Sequence, residues 1–404
     1  MKKITPFLHF HNTVTEWSQQ KLGDVVAIFS GWTPSEFKIT DDKSGYMFIK
    51  VDDLNKTDRE QDTSKIHVEE HQRFKKIKKN SVIFPKRGAA IMTNKIRILK
   101  TESYMDTNMM GLEAKKIDAD FLYSLLQKEK LYKIADTSTL PQINNKHIEP
   151  YIIYLPGFNE QKQIGKFFRD LDETISLHQQ ELEALKQTKQ GFLQKMFPKK
   201  GQLIPEIRLS GYKENWKEMK FKNLAEIRRG LTYKPKDVDK TGVRVLRSSN
   251  IKGDSFILKN DDVFVKQEAV NIDYAKENEI LITSANGSSN LVGKHALIKK
   301  LDQPTVHGGF MLIASAKTPY FVNTLMSTEW YDRFIKVHVS GGNGAIGNLN
   351  KNNLENYSVM VPSIEEQIKI GDFFRQLDEV IELKEKEVEA LKETKKGFLQ
   401  KMFI

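Results

Sequence analysis

The chain has 404 residues, 39% of them hydrophobic, 10% aromatic and 29% charged, with only 12 prolines and 23 glycines, which predicts two or three packed domains and excludes a largely disordered chain. The absence of cysteine excludes disulfide staples, thiolate metal sites and cysteine nucleophiles, and no apolar run reaches the roughly 18 residues of a membrane span. A formal charge of +11 favours a polyanionic partner such as nucleic acid.

The opening segment, residues 1–14, has no apolar core of the kind a signal peptide needs. With zero cysteine, this fits a reducing compartment, and the expected location is the cytoplasm. Short β-branched runs predict strands at 48–51, 81–84 and 95–99. The densest basic run is Arg73 to Lys79, with Lys86-Arg87-Gly88 after it. Residues 119–135 read as a helix. A second helical stretch begins at Glu160 and runs to Phe197, rich in Glu, Lys, Leu and Gln with no internal proline. Pro198 and Gly201 end it. Then Arg228-Arg229-Gly230 leads to Tyr233, Lys234 and Lys236. Strands are predicted at 243–246, 279–282 and 296–298, and a helix over 319–336. The loops Arg247-Ser-Ser-Asn250 and Ser284 to Asn290 offer fork donors, amides and hydroxyls, the groups that read base edges. Gly342 to Gly347 fits G-x-G-x-x-G, but a helix precedes it and none starts after it, so it reads as a connector or DNA-facing loop rather than a dinucleotide site. A last helix runs from Glu366 to Phe403.

The chain is written twice. Glu160–Phe197 and Glu366–Phe403 align without gaps at an offset of 206. The repeat extends upstream, where Trp17 matches Trp216, Gly31 matches Gly230, Ile143 matches Leu349 and Pro156 matches Pro362. Gly45 to Lys50 parallels Gly242 to Arg247. Residues 1–200 hold 33 basic and 26 acidic side chains, a surplus of 7, which leaves 4 for residues 201–404. Each long helix carries a heptad seam. The apolar positions are Ile164, Phe168, Leu171, Ile175, Leu182, Leu185 and Phe192, then Ile370, Phe374, Leu377, Ile381, Val388, Leu391 and Phe398. The polar seam positions, His178/Lys384 and Lys189/Lys395, read as alignment devices. The fold class is α/β, mixed α+β: an internal repeat of two globular domains and two long helices, packed one against the other as a coiled coil.

Side chains suited to DNA contact are Lys50, Lys86, Arg87, Lys234, Arg247, Ser248, Asn250, Asn286, Ser288 and Ser289. No P-loop, His-Glu-x-x-His or Gly-x-Ser-x-Gly motif is present, and the nine histidines show no metal spacing, so neither a catalytic nor a metal site is expected.

The pattern resembles the specificity subunits of type I restriction–modification systems. The matching residues are Trp17 with Lys21 to Asp24 and Ser30 to Pro34, repeated as Trp216 and Arg229 to Thr232. Also matching are Pro156 to Gly165 and Pro362 to Gly371, each opening a helix that ends Gly-Phe-Leu-Gln-Lys-Met-Phe. The resemblance covers essentially the whole chain. One departure is His9-Phe10-His11-Asn12, which stands where Arg208 to Gly211 stands in the second copy. The resemblance implies target recognition domains at 1–158 and 199–364, each reading one half of a split DNA target, and spacer helices at 159–198 and 365–404 that pair as an antiparallel coiled coil, a pseudo-twofold arrangement, and set the length of the unread spacer. It implies methyltransferase subunits, two of them, which bind S-adenosylmethionine, and an endonuclease/translocase subunit; this chain is then non-catalytic and holds no cofactor. A coiled-coil scaffold without a nucleic-acid role is the alternative, and an enzyme acting directly on DNA a third reading.

Overall fold

The structure, a computed structural model, describes residues 5–8, 16–41, 44–137, 140–340 and 347–404. His9 to Asn12 therefore lies outside the described residues. The chain divides into two compact units that do not follow the sequence repeat: Met1–Glu181 with Lys384–Ile404 forms unit 1, and Leu182–Leu383 forms unit 2. Each long helix gives its first part to one unit and its last part to the other. No helix among the described residues is long and apolar enough to cross a membrane.

Unit 1 is built on a five-stranded sheet ordered Val26–Ser30, Met109–Ala114, Val82–Pro85, Arg97–Leu99, Glu60–Gln61. Met109–Ala114, absent from the predicted strands, is antiparallel to both of its neighbours. A second sheet orders Ile39–Thr40, His67–Val68, Tyr46–Ile49 and Tyr104–Met105, with the last pair parallel. The helix Ala119–Glu129 starts where the Asp118 carboxylate accepts from the Phe121 N–H at 3.0 Å. It ends sooner than predicted because Lys130 turns left-handed, with φ at 58°.

Unit 2 repeats this plan with Ala225–Arg229, Met311–Ala316, Ile280–Thr283 and His295–Leu297 in one sheet. The second sheet orders Val238–Asp239, Val263–Val265, Val243–Leu246 and Thr305–His307. The helix predicted over 319–336 is two, Pro319–Met326 and Glu329–His338. Thr328 Oγ1 and Trp330 Nε1 both donate to the Leu325 carbonyl, at 2.8 and 2.7 Å, which draws it out of the helical ladder and stops the first helix.

The long helices are Phe158–Lys195 and Ile364–Met402, of 38 and 39 residues. Each spans about 57 Å at 1.5 Å per residue. In both units they run antiparallel. In unit 1, Phe167 meets Phe398 edge-on at 5.1 Å, and Lys395 Nζ lies 2.6 Å from Asp172. In unit 2 the repeat counterparts do the same: Phe192 meets Phe373 at 5.1 Å, and Lys189 Nζ lies 2.7 Å from Asp378. The apolar seam positions are all buried or half-buried. The polar seam position at residue 384 is a junction: Lys384 Nζ reaches Glu181 at 2.8 Å, Glu387 at 2.9 Å and His178 Nδ1 at 3.1 Å. Their hydrogen bonds to Lys384 hold the Glu181 and Glu387 carboxyls below their usual range. A seam lysine so partnered fixes register, since a slip of one turn would strand it among apolar side chains.

The helix ends explain why the repeat is so faithful there. Phe403 packs against Trp17, Phe121 and Phe168 in unit 1, with ring centroids 6.1, 5.2 and 5.7 Å away. Phe197 packs against Trp216, Phe321 and Phe374 in unit 2, at 5.8, 6.0 and 6.1 Å. The same plug enters the same socket twice, so both copies keep the same aromatic residues.

Candidate nucleic-acid interface

In each unit, strand ends of the two sheets converge on one turn. In unit 1, Tyr46–Ile49 delivers Lys50, which opens a tight turn whose N–H is held by the Asp53 carboxylate at 3.0 Å. Val82–Pro85 delivers Lys86 and Arg87. Both reach Asp106-Thr107-Asn108: the Asp106 N–H donates to the Ile49 carbonyl, and the Lys86 N–H to the Asn108 carbonyl.

Unit 2 repeats the frame with other side chains. Val243–Leu246 delivers Arg247, whose N–H is held by the Asn250 side chain at 2.8 Å. Ile280–Thr283 delivers Ser284 and Ala285, both of whose N–H groups donate to the Phe310 carbonyl. Gly308 donates to the Leu246 carbonyl, as Asp106 does to that of Ile49. Lys50 thus corresponds to Arg247, Lys86 to Ser284, and Asn108 to Phe310.

The frame depends on Gly31 and Gly230. A Cβ on Gly31 would overlap the Asp106 carbonyl oxygen, and one on Gly230 the Gly308 carbonyl oxygen. The strands Val26–Ser30 and Ala225–Arg229 therefore lead directly against the turn at which the sheets converge, and only glycine allows it.

The predicted contact residues fall into distinct groups. Arg87, Lys234, Ser288 and Ser289 are exposed; Lys50, Arg247, Ser248 and Asn286 are half-buried. Asn286 Nδ2 donates to Ser248 Oγ at 3.0 Å, which joins the two predicted loops of unit 2 into one surface. Lys86 is 7% exposed, and burial together with Arg87 holds its ammonium below the usual lysine range, against the pull of Asp106. Asn250 is a correction. It is fully buried, and its side-chain nitrogen donates to the Ile257 carbonyl and to Asp262, at 3.0 and 2.7 Å. It closes the turn that Asp53 closes in unit 1, with both amide hydrogens engaged and the oxygen holding the Arg247 N–H, and its burial keeps it from a base. Arg228 and Arg244 are likewise occupied, by Glu279 at 2.6 Å and by Asp262 at 3.3 Å together with Asp302. In the basic run, Lys76 and Lys78 pair with Glu70 and Glu113, each at 2.6 Å. The glycine-rich loop at 341–346 lies outside the described residues. Gly347–Leu349 beyond it is a strand, paired with Ala285–Asn286.

In unit 2, Arg247 Nε, Ser249 Oγ and Thr283 Oγ1 are buried and have no partner among the described residues. Two side chains that composition does not single out, Asn108 and Phe310, stand on these turns. The signal was present: Gly308-Gly309-Phe310 and Asp106-Thr107-Asn108 stand just ahead of the paired Met311 and Met109.

His307, fully buried beneath this turn, donates from Nε2 to the Arg228 carbonyl at 3.3 Å. Burial holds its pKa down to about 4, because the imidazolium would lose its hydration. Its counterpart is Met105. An unfolded chain takes up that proton near pH 6.5, so the stability His307 contributes is full above about 6.5 and is lost as pH falls toward 4. The loss reaches at most about 3 kcal/mol. Urea midpoints at pH 7.5 and 5.0 should therefore converge when His307 is replaced by Met. An unchanged pH dependence in H307M would exclude His307 as its source.

Residues 15–187 and 213–393 each match the type I restriction modification DNA specificity domain. The chain is 23% identical to the type I restriction enzyme MjaVIII specificity subunit of Methanocaldococcus jannaschii, over 97% of this chain and 93% of that one. It is 24% identical to the EcoKI specificity subunit of Escherichia coli K12, over 67% of this chain and 60% of that one. Its fold matches the crystal structure of a type I restriction-modification S subunit from M. genitalium with a TM-score of 0.64 at 15% identity, covering 99% of both chains. Two copies of one domain take in most of the sequence, and the chain belongs to the type I restriction–modification DNA specificity family.

Proposed function

We propose that each unit reads one half of a bipartite DNA target through the turn at which its two sheets converge. The observation that carries this is the contrast within a shared frame: Lys50, Arg87 and Asn108 in unit 1 occupy the places of Arg247, Ala285 and Phe310 in unit 2. A scaffold needs no such divergence at one place in an otherwise repeated fold. Two half-sites of different sequence do.

The chain is a DNA-recognition subunit and performs no catalysis alone. It directs methyltransferase and restriction subunits to the target. We take the methyltransferase subunits to be two, matching the two repeats, and to hold S-adenosylmethionine. The long helices set the length of DNA left unread between the half-sites, and the protein works in the cytoplasm, where its DNA lies.

Titration of the full chain with duplex DNA at rising salt tests this. Log affinity should fall linearly with log salt, by about 0.9 for each phosphate neutralised. Selection from random duplexes should return two short conserved blocks around a fixed unread gap. A flat salt response would favour the coiled-coil scaffold, and methyl transfer or cleavage by the chain alone would sink the non-catalytic assignment.

A further inference from the structure

Phe310 stands out on the surface of unit 2. It is 65% exposed, although it lies at the centre of the convergent loops. Its backbone is fixed. Its carbonyl accepts from the N–H groups of Ser284 and Ala285 at 2.9 and 3.1 Å, and the Met311 N–H donates to the Gly308 carbonyl at 2.8 Å to close the turn. Gly308 and Gly309 precede it. A Cβ on Gly309 would press on Thr232 Oγ1 at 3.1 Å, and one on Gly308 would press on Val245 at 3.3 Å, 4.0 Å from the Arg247 stem. The turn is thus pinned from both sides, with a rigid apolar ring held out in water. A single exposed apolar side chain is ordinary on a protein surface. An aromatic ring on a clamped turn, whose backbone is bonded to the loop that carries Asn286 and lies against the Arg247 stem, is a pre-organised contact.

Its neighbours indicate what it meets. Arg247, Ser248 and Asn286 are groups that discriminate base pairs in the major groove, where each pair shows a distinct pattern. The one apolar feature of that pattern is the C5-methyl of thymine. The corresponding residue of unit 1, Asn108, carries an amide of the kind that pairs with adenine. We propose that Phe310 is a specificity-determining residue of unit 2 that packs on the methyl edge of a thymine in its half-site. This rests on the DNA-reading function proposed above.

The test uses the full chain and duplexes carrying its selected target. Each thymine of the target is replaced in turn by deoxyuridine, which removes the methyl and keeps every hydrogen bond. In the wild type, one such replacement in a single half-site should weaken binding about three- to tenfold, the effect expected for losing one buried methyl and part of its packing. In Phe310→Ala that sensitivity should vanish, with thymine and deoxyuridine duplexes bound alike and the other half-site read as before. Phe310→Leu should restore part of it. Phe310→Asn should move the preference at that base pair toward adenine. The thermal midpoint should stay constant throughout, because the ring is exposed. Deoxyuridine sensitivity that persists in Phe310→Ala, or no sensitive thymine in either half-site, overturns the assignment while leaving DNA recognition intact. Binding lost equally on both duplexes also overturns it, in favour of a ring wedged between bases. If the wild type shows no sequence preference at all, the failure lies in the proposed function itself.

Discussion

Replacing Arg59 by methionine should lower the stability of unit 1 by about 3–5 kcal/mol, the cost of removing one partner from a buried ion pair. Arg59 is 8% exposed. Its guanidinium forks between the carboxylates of Asp172, at 2.8 Å, and Asp120, and its carbon lies 4.4 Å from the centre of the Tyr123 ring. Each carboxylate is shared: Asp172 also takes Lys395 at 2.6 Å, and Asp120 takes Arg169 at 2.7 Å. One residue from the sheet region thus joins the helix Ala119–Glu129 and both long helices. Methionine would fill much of the volume but leave two carboxylates short of a cation. Arg59→Lys should recover only part of the loss, since an ammonium cannot bridge both carboxylates in a planar fork. The Ile98 N–H, which donates to the Arg59 carbonyl, offers a local readout by hydrogen exchange. A shift in urea midpoint equivalent to less than 1 kcal/mol would show that the network is dispensable. Among the described residues unit 2 shows no equivalent fork: Tyr320 takes the place of Asp120, with Arg375 lying 5.5 Å from its ring.

Gly230→Ala should be comparably severe, but local. The added methyl would overlap the Gly308 carbonyl oxygen, which belongs to backbone pinned on both sides. Either the strand Ala225–Arg229 parts from Met311–Ala316 or the turn carrying Phe310 moves. Both outcomes should abolish discrimination in one half-site while the other half-site is still selected, with a loss of several kcal/mol in unit 2 by the measure of other severe backbone substitutions. Gly31→Ala should do the same in unit 1, against Asp106. Selection of bound duplexes with each variant would show which half of the motif decays. Decay of both halves together would mean that the turns do not act separately.

The frame of this protein was legible where a repeat constrained it. The helices, their seams, and the paired Trp17/Trp216 and Gly31/Gly230 could be read because the same packing problem is solved twice with the same residues. The second strand of the main sheet in each unit could not. Met109–Ala114 reads MMGLEA and Met311–Ala316 reads MLIASA; buried over their first four residues, neither shows the alternation or the β-branched content that marks a strand. Within the reading loops, composition misled in a specific way. Asn250 looked like a base reader because asparagine is suited to that role, but asparagine is equally suited to closing a turn, and here it does. Phe310 gives no sign of its exposure, since an aromatic ring in a sequence usually means core. Arg59 gave no local sign, since its partners lie 61 and 113 residues away.

Unit 2 is one continuous stretch, whereas unit 1 is not: Met402 and Phe403 belong to a core whose other members include Trp17 and Phe121. The ribosome makes residues 384–404 roughly two hundred residues after the rest of unit 1, a delay of about 10–40 s at ordinary elongation rates. During that interval the first-made recognition unit waits with an open socket, and by its end every residue of unit 2 has been made. The half of the protein encoded second is therefore the first that can finish folding.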